Sequence, residues 1–219
     1  MVKIYTHFSD SHKQLYNDYF KVSLRKLYTS DELCIKYLHH EQTTTSGYFM
    51  EQGWLEAMNF KLDVILSAFD NTSEDWFIFS DCDVQFFTPF LNDLSTYLEN
   101  GVELACQDDC NTLCAGFFVC RKTNNTYNLF KNVKANFKHM GNDQAALNNF
   151  KYDVKYRLLD KNLYYTIGNF FNNSDGTNNW DGASDVFVPD NIYIHHANYV
   201  KGVEQKIKLM DKIKNTINV

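Results

Sequence analysis

The sequence has few of the features that mark fibrous, disordered or membrane proteins. Its 219 residues include two prolines and nine glycines, too few for a collagen-like or Pro/Gly-rich disordered chain. No apolar run approaches the roughly 20 residues that a membrane span requires, so we expect no membrane-spanning segment. The N-terminus has no basic stretch followed by an apolar one. We therefore expect no secretory signal and a cytoplasmic protein.

Neither the charge nor the cysteine spacing indicates nucleic acid or zinc as a partner. The net charge is −6, from 27 acidic and 21 basic residues, which argues against broad nucleic-acid binding. Cys106, Cys110 and Cys114 share a four-residue spacing, but no Cys-x-x-Cys pair and no neighbouring histidine completes a zinc site. Without an export signal, the six cysteines are expected to be reduced thiols.

Strand and helix patterns alternate up to about residue 140. The predicted strands are Lys3–Phe8, Glu32–Leu38, Trp76–Phe79, Val102–Cys106 and Ala115–Arg121. The predicted helices are Ser11–Leu27, Gly53–Phe69, a short helix from Pro89 to Leu98, and Thr123–Lys138. This alternation predicts an α/β domain with a mainly parallel central sheet flanked by helices.

The pattern is looser in the last third of the chain. The elements predicted there are one or two helical turns over Asn142–Asn149, strands over Val154–Leu159 and Asn191–His195, and a C-terminal helix over Val203–Ile217. Asn169–Asp185 is crowded with Asn, Asp, Gly and Ser, which is typical of a loop or lid. No linker divides the chain, so residues 1–219 are predicted to form a single domain.

The sharpest local signal is an acidic pair, Asp81 and Asp83, directly after the apolar strand Trp76–Phe79. In an open α/β sheet, ligands bind at the carboxyl ends of the strands. Two carboxylates one residue apart can reach the same divalent cation, directly or through water. Mg²⁺ and Mn²⁺ prefer such oxygens and complete their shells with substrate phosphates. The alternative is an acidic pair in a solvated loop that binds no metal.

A second signal lies near the C-terminus, where His195 and His196 precede Lys201, Gly202 and Lys206. A histidine at a strand end can complete a metal shell, while glycine allows close backbone approach and lysine supplies positive charge for phosphate. Adjacent strand residues face opposite sides, so only one of the two histidines can point into a cleft. The alternative is two surface histidines before a helix.

Four segments in one order carry a family resemblance: Phe79–Val84, Ala115–Val119, Asn142–Asn148, and His196-Ala197-Asn198 followed by Gly202 and Lys206. Together they resemble the nucleotide-diphospho-sugar transferases of GT-A fold. The compact length is similar to that of glycosyltransferases from large algal DNA viruses, which would place the protein in the host cytoplasm. The resemblance spans roughly residues 3–210 and implies a single GT-A-like domain with a C-terminal helix.

The resemblance also implies roles for individual residues around a bound nucleotide sugar. The implied ligands of Mn²⁺ or Mg²⁺ are Asp81, Asp83 and His196, with Asp81 also beside the donor diphosphate. The residues implied to bind the nucleoside and diphosphate are Thr6, His7, Phe8, Lys61, Lys201, Gly202 and Lys206. Those implied to contact the donor sugar are Ala115, Gly116, Asp143 and Gln144, the last two also acting at the reacting centre.

Simpler alternatives exist for several of these residues. Lys61 fits an exposed charge on a helix, and Ala115 with Gly116 fits close packing at the start of a strand. Asp143 and Gln144 fit the start of a helix, where Asp is a favoured N-cap. For the metal site itself, ordinary pKa values of about 4 for Asp and about 6.5 for His predict that metal affinity falls below about pH 6.5.

The resemblance implies a metal-dependent glycosyltransferase of hexosyl or deoxyhexosyl type. Its donor would be a UDP-sugar and its acceptor a hydroxyl of a glycan or glycoprotein, with retention of anomeric configuration favoured over inversion. One alternative is another metal-dependent phosphate enzyme, either a phosphohydrolase or a sugar nucleotidyltransferase. The nucleotidyltransferase needs a Gly-rich loop after the first strand, yet no glycine precedes Gly47. The other alternative is a carbohydrate-binding module that stacks its many aromatic residues on sugar rings.

Overall fold

A computed structural model describes residues 1–46, 48, 50–171 and 179–217. The strands in this part of the chain are β1 (Val2–Phe8), β2 (Leu33–His39), β3 (Trp76–Ser80), β4 (Val84–Phe86), β5 (Leu104–Asp109), β6 (Thr112–Arg121), β7 (Tyr156–Leu158), β8 (Tyr164–Thr166) and β9 (Ile194–His196). The helices are α1 (Val22–Leu27), α2 (Trp54–Asn71), α3 (Leu91–Thr96), α4 (Asn124–Asn136), α5 (Asp143–Phe150) and α6 (Val203–Ile217). None of these helices is both long and apolar enough to cross a membrane.

The central sheet has six strands in the order β2-β1-β3-β6-β5-β7. The pairs β1/β2, β1/β3 and β5/β7 are parallel, whereas β6 runs antiparallel to both of its neighbours. The antiparallel direction of β6 arises because only two residues, Cys110 (φ 53°) and Asn111 (φ 65°), join β5 to β6. So short a turn can only form an antiparallel hairpin. The predicted α/β class with a mainly parallel sheet is thus confirmed.

A second, three-stranded sheet in the order β4-β9-β8 is not predicted from the sequence. Its strands have three residues each, too few to show a periodic pattern. The predicted strand Asn191–His195 is therefore wrong at both ends. In β9, His196 pairs with Val84 of β4. Because β4 begins directly after Asp83, this register places His196 beside the acidic pair.

The predicted helix Ser11–Leu27 is divided into several turns. Asp10–His12 forms a 3₁₀ turn, Leu15–Lys21 has π-helical hydrogen bonding, and α1 follows from Val22. The π-helical residues Leu15, Tyr16, Tyr19 and Phe20 are buried. Their spacing of four and five residues suits the wider turn of i→i+5 hydrogen bonding, which brings all four side chains to one face.

Alternation along β1 determines which side chains reach each face of the central sheet. Ile4 and Phe8 pack into the core on one face, and Tyr5 packs into the core on the α2 face. His7 shares the face of Tyr5 and lies 6.4 Å from the Phe79 ring, measured between ring centroids. The same rule that buries the apolar residues therefore directs His7 towards α2.

Asn142 is the N-cap of α5, because its side-chain oxygen accepts a hydrogen bond from the Ala145 N–H at 2.6 Å. Asp143 is therefore inside the helix and is not its N-cap. Asn142→Ala should lower the free energy of unfolding by about 1 kcal/mol, whereas Asn142→Ser should retain most of it. Urea denaturation measures both, and equal stability of the two variants would contradict the capping role.

Candidate active site

At the carboxyl ends of β1 and β3, the described residues surround a cavity of about 500 Å³, a volume typical of small-molecule sites. Of the residues implied by the resemblance, those that line it are His7, Phe8, Lys61, Asp81, Asp83, Ala115, Gly116, Asp143, Gln144, His196, Lys201, Gly202 and Lys206. Thr6 is not among them. Its side chain is fully buried, and its hydroxyl makes no hydrogen bond to the described residues.

Asp81, Asp83 and His196 converge on one point of this cavity. One ligand atom from each residue lies within 4.8 Å of the other two, and His196 Nε2 is 3.3 Å from Asp83 Oδ1. Two carboxylates and one imidazole form a donor set that suits Mn²⁺ or Mg²⁺ when phosphate oxygens complete the shell. The residues therefore fit a divalent cation.

Gln107 orients His196, and nothing in the sequence singled it out. Its amide nitrogen donates hydrogen bonds to the carbonyl oxygens of Tyr164 and Tyr165, at 3.1 and 3.0 Å. Its amide oxygen therefore faces His196 Nδ1, at 2.9 Å. Nδ1 must be the donor in this contact, which leaves Nε2 turned towards Asp83. Such partners determine which ring nitrogen is presented to a metal.

His195 lies on the opposite face of β9 from His196. Its side chain is fully buried and packs on the Tyr165 ring, with 5.5 Å between centroids. Burial lowers the pKa of His195 to about 3, so its imidazole is neutral. Of the two histidines, the structure brings only His196 to the acidic pair.

Two lysines, Lys61 buried and Lys206 half-buried, pair with the carboxylates. Lys61 is 3% exposed, and its Nζ lies 3.1 Å from Asp81 and 2.9 Å from Asp143. The alternative of an exposed helix charge is therefore wrong. Lys206 forms an ion pair with Asp83 and donates to the Ala197 carbonyl oxygen at 3.2 Å. Burial alone would lower the pKa of each lysine, but these carboxylates outweigh it and raise both.

The acidic pair itself is electrostatically asymmetric. Burial raises the pKa of Asp81, only partly opposed by Lys61. Burial also acts on Asp83, but Lys206 and His196 outweigh it and hold the pKa of Asp83 well below its ordinary value. In turn, burial alone would lower the pKa of His196, but Asp83 outweighs it and raises that pKa to about 10. His196 is therefore protonated at neutral pH when no metal is bound.

Gly116 has no room for a side chain. A Cβ atom there would lie 2.4 Å from His196 Cε1 and 2.7 Å from Asp81 Oδ2. Both distances are shorter than non-bonded atoms tolerate. The small-residue pair Ala115-Gly116 thus lets β6 pass directly behind the acidic pair. The close packing expected of this pair is therefore also what leaves room for His196 and Asp81 in the site.

Asp143 and Gln144 reach the cavity from the first turn of α5. The Gln144 amide is held at both ends: its oxygen accepts from the Ala115 N–H at 3.2 Å, and its nitrogen donates to Asp109 Oδ2 at 2.6 Å. The Tyr199 hydroxyl donates to the other oxygen of Asp109, also at 2.6 Å. Asp109 and Tyr199 were not predicted from the sequence. The hairpin that brings Asp109 to the cavity turns at Cys110-Asn111, which is not one of the usual hairpin-turn sequences such as Asn-Gly.

The end of the cavity near β1 is lined by His7, Phe8 and two further histidines, His12 and His40, which the sequence analysis did not select. Gly202, which also lines the cavity, has φ 83°, and a Cβ there would meet the Tyr48 ring at 2.3 Å. The predicted lid Asn169–Asp185 includes residues 172–178, which lie outside the described residues.

A match to a known family decides what kind of protein carries this site. Residues 21–210 match the family described as nucleotide-diphospho-sugar transferase. The chain belongs to this family. No curated protein matches it in sequence.

Solved glycosyltransferase structures share the fold of this family member. The glycosyltransferase involved in glycosylation of the major capsid of PBCV-1 superposes with a TM-score of 0.64 at 10% identity, covering 98% of both chains. Mouse xyloside xylosyltransferase 1 gives 0.55 at 8% identity, covering 90% of this chain and 97% of that one. GlyE of Streptococcus pneumoniae TIGR4 gives 0.55 at 15% identity over 77% of this chain, which spans about half (48%) of GlyE.

The protonated His196 predicts how metal affinity depends on pH. Because the imidazole must lose its proton before Nε2 can bind a cation, affinity should fall about tenfold for each unit of pH below about 10. The fall thus begins far above the pH of about 6.5 expected from the ordinary pKa of histidine. Mn²⁺ titration calorimetry between about pH 6 and 9 measures this slope. A wild-type affinity that is constant above pH 7, or an unchanged slope in His196→Gln, would contradict it.

Proposed function

We propose that this chain transfers a sugar from a nucleoside diphosphate donor, UDP-linked, to a hydroxyl of a glycan or glycoprotein, with residues 1–219 acting as one domain. Mn²⁺ or Mg²⁺ would be held by Asp81, Asp83 and His196. The observation that carries the proposal is the convergence of this donor set with Lys61 and Lys206 in one cavity, in a chain of the nucleotide-diphospho-sugar transferase family.

The cation-binding side of the cavity suits a diphosphate leaving group. A divalent cation bound there supplies positive charge to the phosphate oxygens. Lys206 lies beside Asp83, and Lys201 with Gly202 lines the same cavity. We assign these residues to the diphosphate, whose negative charge increases as its bond to the sugar breaks. Charges held in place before the reaction stabilise that change without reorganisation.

The pairing of the carboxylates supports transfer with retention. Inversion needs a general base at the acceptor hydroxyl. In the described part of the cavity, Asp81 and Asp143 pair with Lys61, Asp83 pairs with Lys206, and Asp109 accepts two hydrogen bonds. Burial lowers the pKa values of the three histidines that line the same cavity, His7, His12 and His40, and so makes each of them a weak base. We therefore assign the acceptor proton to an oxygen of the departing diphosphate. The C1–O bond to phosphate breaks, and the acceptor oxygen bonds to C1 on the same face.

Asp83→Ala should abolish the metal-dependent part of UDP binding, because it removes a proposed ligand of the cation. It also leaves Lys206 and His196 without their carboxylate partner, which should lower the free energy of unfolding by about 3–5 kcal/mol. Calorimetry with UDP in the presence and absence of Mn²⁺ measures this, with circular dichroism as the check on folding. Asp185→Ala is the matched control, since the Asp185 side chain is fully exposed. Equal UDP affinity of Asp83→Ala and the wild type would exclude Asp83 as a metal ligand.

Incubation with a panel of UDP-, GDP- and CDP-sugars and Mn²⁺ tests the activity itself. We expect nucleotide release from one or more UDP-sugars that increases with added sugar acceptor, and a product with the anomeric configuration of the donor by ¹H NMR. Nucleotide release at the same rate with and without the sugar acceptor would indicate a hydrolase. Binding of free sugars with no binding of any nucleotide would indicate a carbohydrate-binding module.

A further inference from the structure

The central sheet has a free edge at β2. This strand is the outermost one in the order β2-β1-β3-β6-β5-β7, and among the described residues no strand pairs with its outer side. Its last four residues, Lys36, Tyr37, Leu38 and His39, are all exposed. An uncovered edge strand of seven residues offers its unpaired backbone groups to another extended chain.

A backbone hydrogen bond shows which residues of β2 face outwards. The N–H of His40, directly after β2, donates to the carbonyl oxygen of Phe8 in β1 at 3.0 Å. Backbone groups alternate in direction along a strand, so the even-numbered residues of β2 direct their N–H and C=O groups towards β1. The backbone groups of Ile35, Tyr37 and His39 therefore point away from β1, where an added strand can bind them.

The two faces of this edge differ in chemistry. Lys36 pairs in register with Tyr5 and so lies on the α2 face of the sheet. Tyr37 lies on the other face, where it is 59% exposed and its ring centroid is 5.2 Å from that of Tyr16. A strand added to this edge would place its side chains alternately beside Lys36 and beside Tyr37.

A groove of about 470 Å³, lined by residues of β1, β2 and α2, lies on the Lys36 face. Its charged lining residues are Lys3, Lys36 and Asp63. Asp63 already forms an ion pair with Lys134, whereas neither Lys3 nor Lys36 pairs with a carboxylate in the part of the chain that the structure describes. A protein of net charge −6 thus has a locally basic groove beside an open strand. Acidic side chains complement such a groove.

The charge of Lys36 argues against a second copy of this chain as the occupant. Two β2 strands that use all three outward-facing residues would pair antiparallel about Tyr37. Lys36 would then lie opposite Leu38 of the second copy and diagonal to Lys36 of that copy on the same face. Like charges on neighbouring strands repel, and lysine on an edge strand protects against such pairing. An acidic strand turns this repulsion into attraction.

We propose that the free edge of β2 binds an extended acidic segment of a partner protein by β-sheet addition. The backbone groups of Ile35, Tyr37 and His39 pair with the segment. Its acidic side chains lie in the groove beside Lys3 and Lys36, and its alternate, apolar side chains cover Tyr37. In this mode of recognition the backbone hydrogen bonds supply affinity and the alternating side chains supply specificity. The proposal does not depend on the proposed enzymatic function.

Two synthetic peptides as long as β2 test the charge preference. One alternates Glu and Val, and the other alternates Lys and Val; both have blocked termini and a fluorescent label for polarisation measurements. The Glu peptide should bind the wild type about tenfold more tightly than the Lys peptide, and added salt should reduce the difference. Equal affinity for the two peptides, or no binding of either, would overturn the inference.

A charge reversal tests whether Lys36 sets this preference. Lys36→Glu should bind the Lys peptide about tenfold more tightly than the Glu peptide, the opposite of the wild type. Lys155→Glu is the matched control and should keep the preference of the wild type, because Lys155 is exposed and precedes β7 at the opposite edge of the sheet. An unchanged preference in Lys36→Glu would contradict the assignment of the groove to acidic side chains.

Proline at position 37 tests pairing through the backbone. Tyr37→Pro removes an outward N–H but no bond to β1, and proline is tolerated at such edge positions. This variant should bind the Glu peptide about tenfold more weakly than Tyr37→Val, which keeps the N–H, while circular dichroism shows that both are folded. Equal affinity of the two variants would exclude β-sheet addition. Sedimentation velocity of the wild type should show a monomer; a dimer that Tyr37→Pro dissociates would mean that a second copy occupies the edge, and would overturn the inference.

Discussion

Three carboxylates (Asp81, Asp83 and Asp143) and two lysines lie together at one end of the central sheet, and their pairing is the constraint on which the site depends. Asp83, Asp143 and Lys61 are buried, and Asp81 and Lys206 are half-buried. An unpaired charge in such a place costs several kcal/mol, and removing one partner of a buried pair typically costs about 3–5 kcal/mol. Asp81 and Asp83 follow β3, Asp143 opens α5, and the lysines come from α2 and α6. Elements distant in sequence must therefore dock correctly together, or leave a charge unpaired.

This constraint links the core to the chemistry. Lys61 crosses from α2 to both Asp81 and Asp143, so the apolar face that packs α2 on the sheet also aligns the carboxylate after β3 with the carboxylate at the start of α5. Lys206 does the same from α6 for Asp83. The site also needs a glycine at position 116, because any side chain there would displace His196 or Asp81. Packing of the helices and strands thus sets the distances between the carboxylates and His196 without a bound metal or phosphate.

The sequence predicted those parts of this arrangement that local patterns encode. The helix of Lys61 and the C-terminal helix each show a helical period, and the strand before Asp81 is a continuous apolar run. The acidic pair is singled out because it directly follows that strand. The second sheet, by contrast, consists of three-residue strands, and its pairing of His196 with Val84 depends on contacts more than 100 residues apart in sequence. Gln107 orients His196 only because the fold brings the two side chains together. No local pattern distinguishes Gln107 from other polar residues.

The charges also explain why metal and nucleotide should bind as a pair. Without a cation, the three carboxylates are balanced by the two lysines and a protonated His196, whose pKa burial would lower but Asp83 raises to about 10. If a divalent cation replaced the His196 proton, as proposed, these groups would carry one positive charge in excess. A diphosphate anion would offset that excess and would give Lys206 a second partner besides Asp83. Each ligand would then remove an electrostatic cost of binding the other, and such coupling is reciprocal. The pairing of His196 with Asp83 keeps these six groups neutral while no cation is bound.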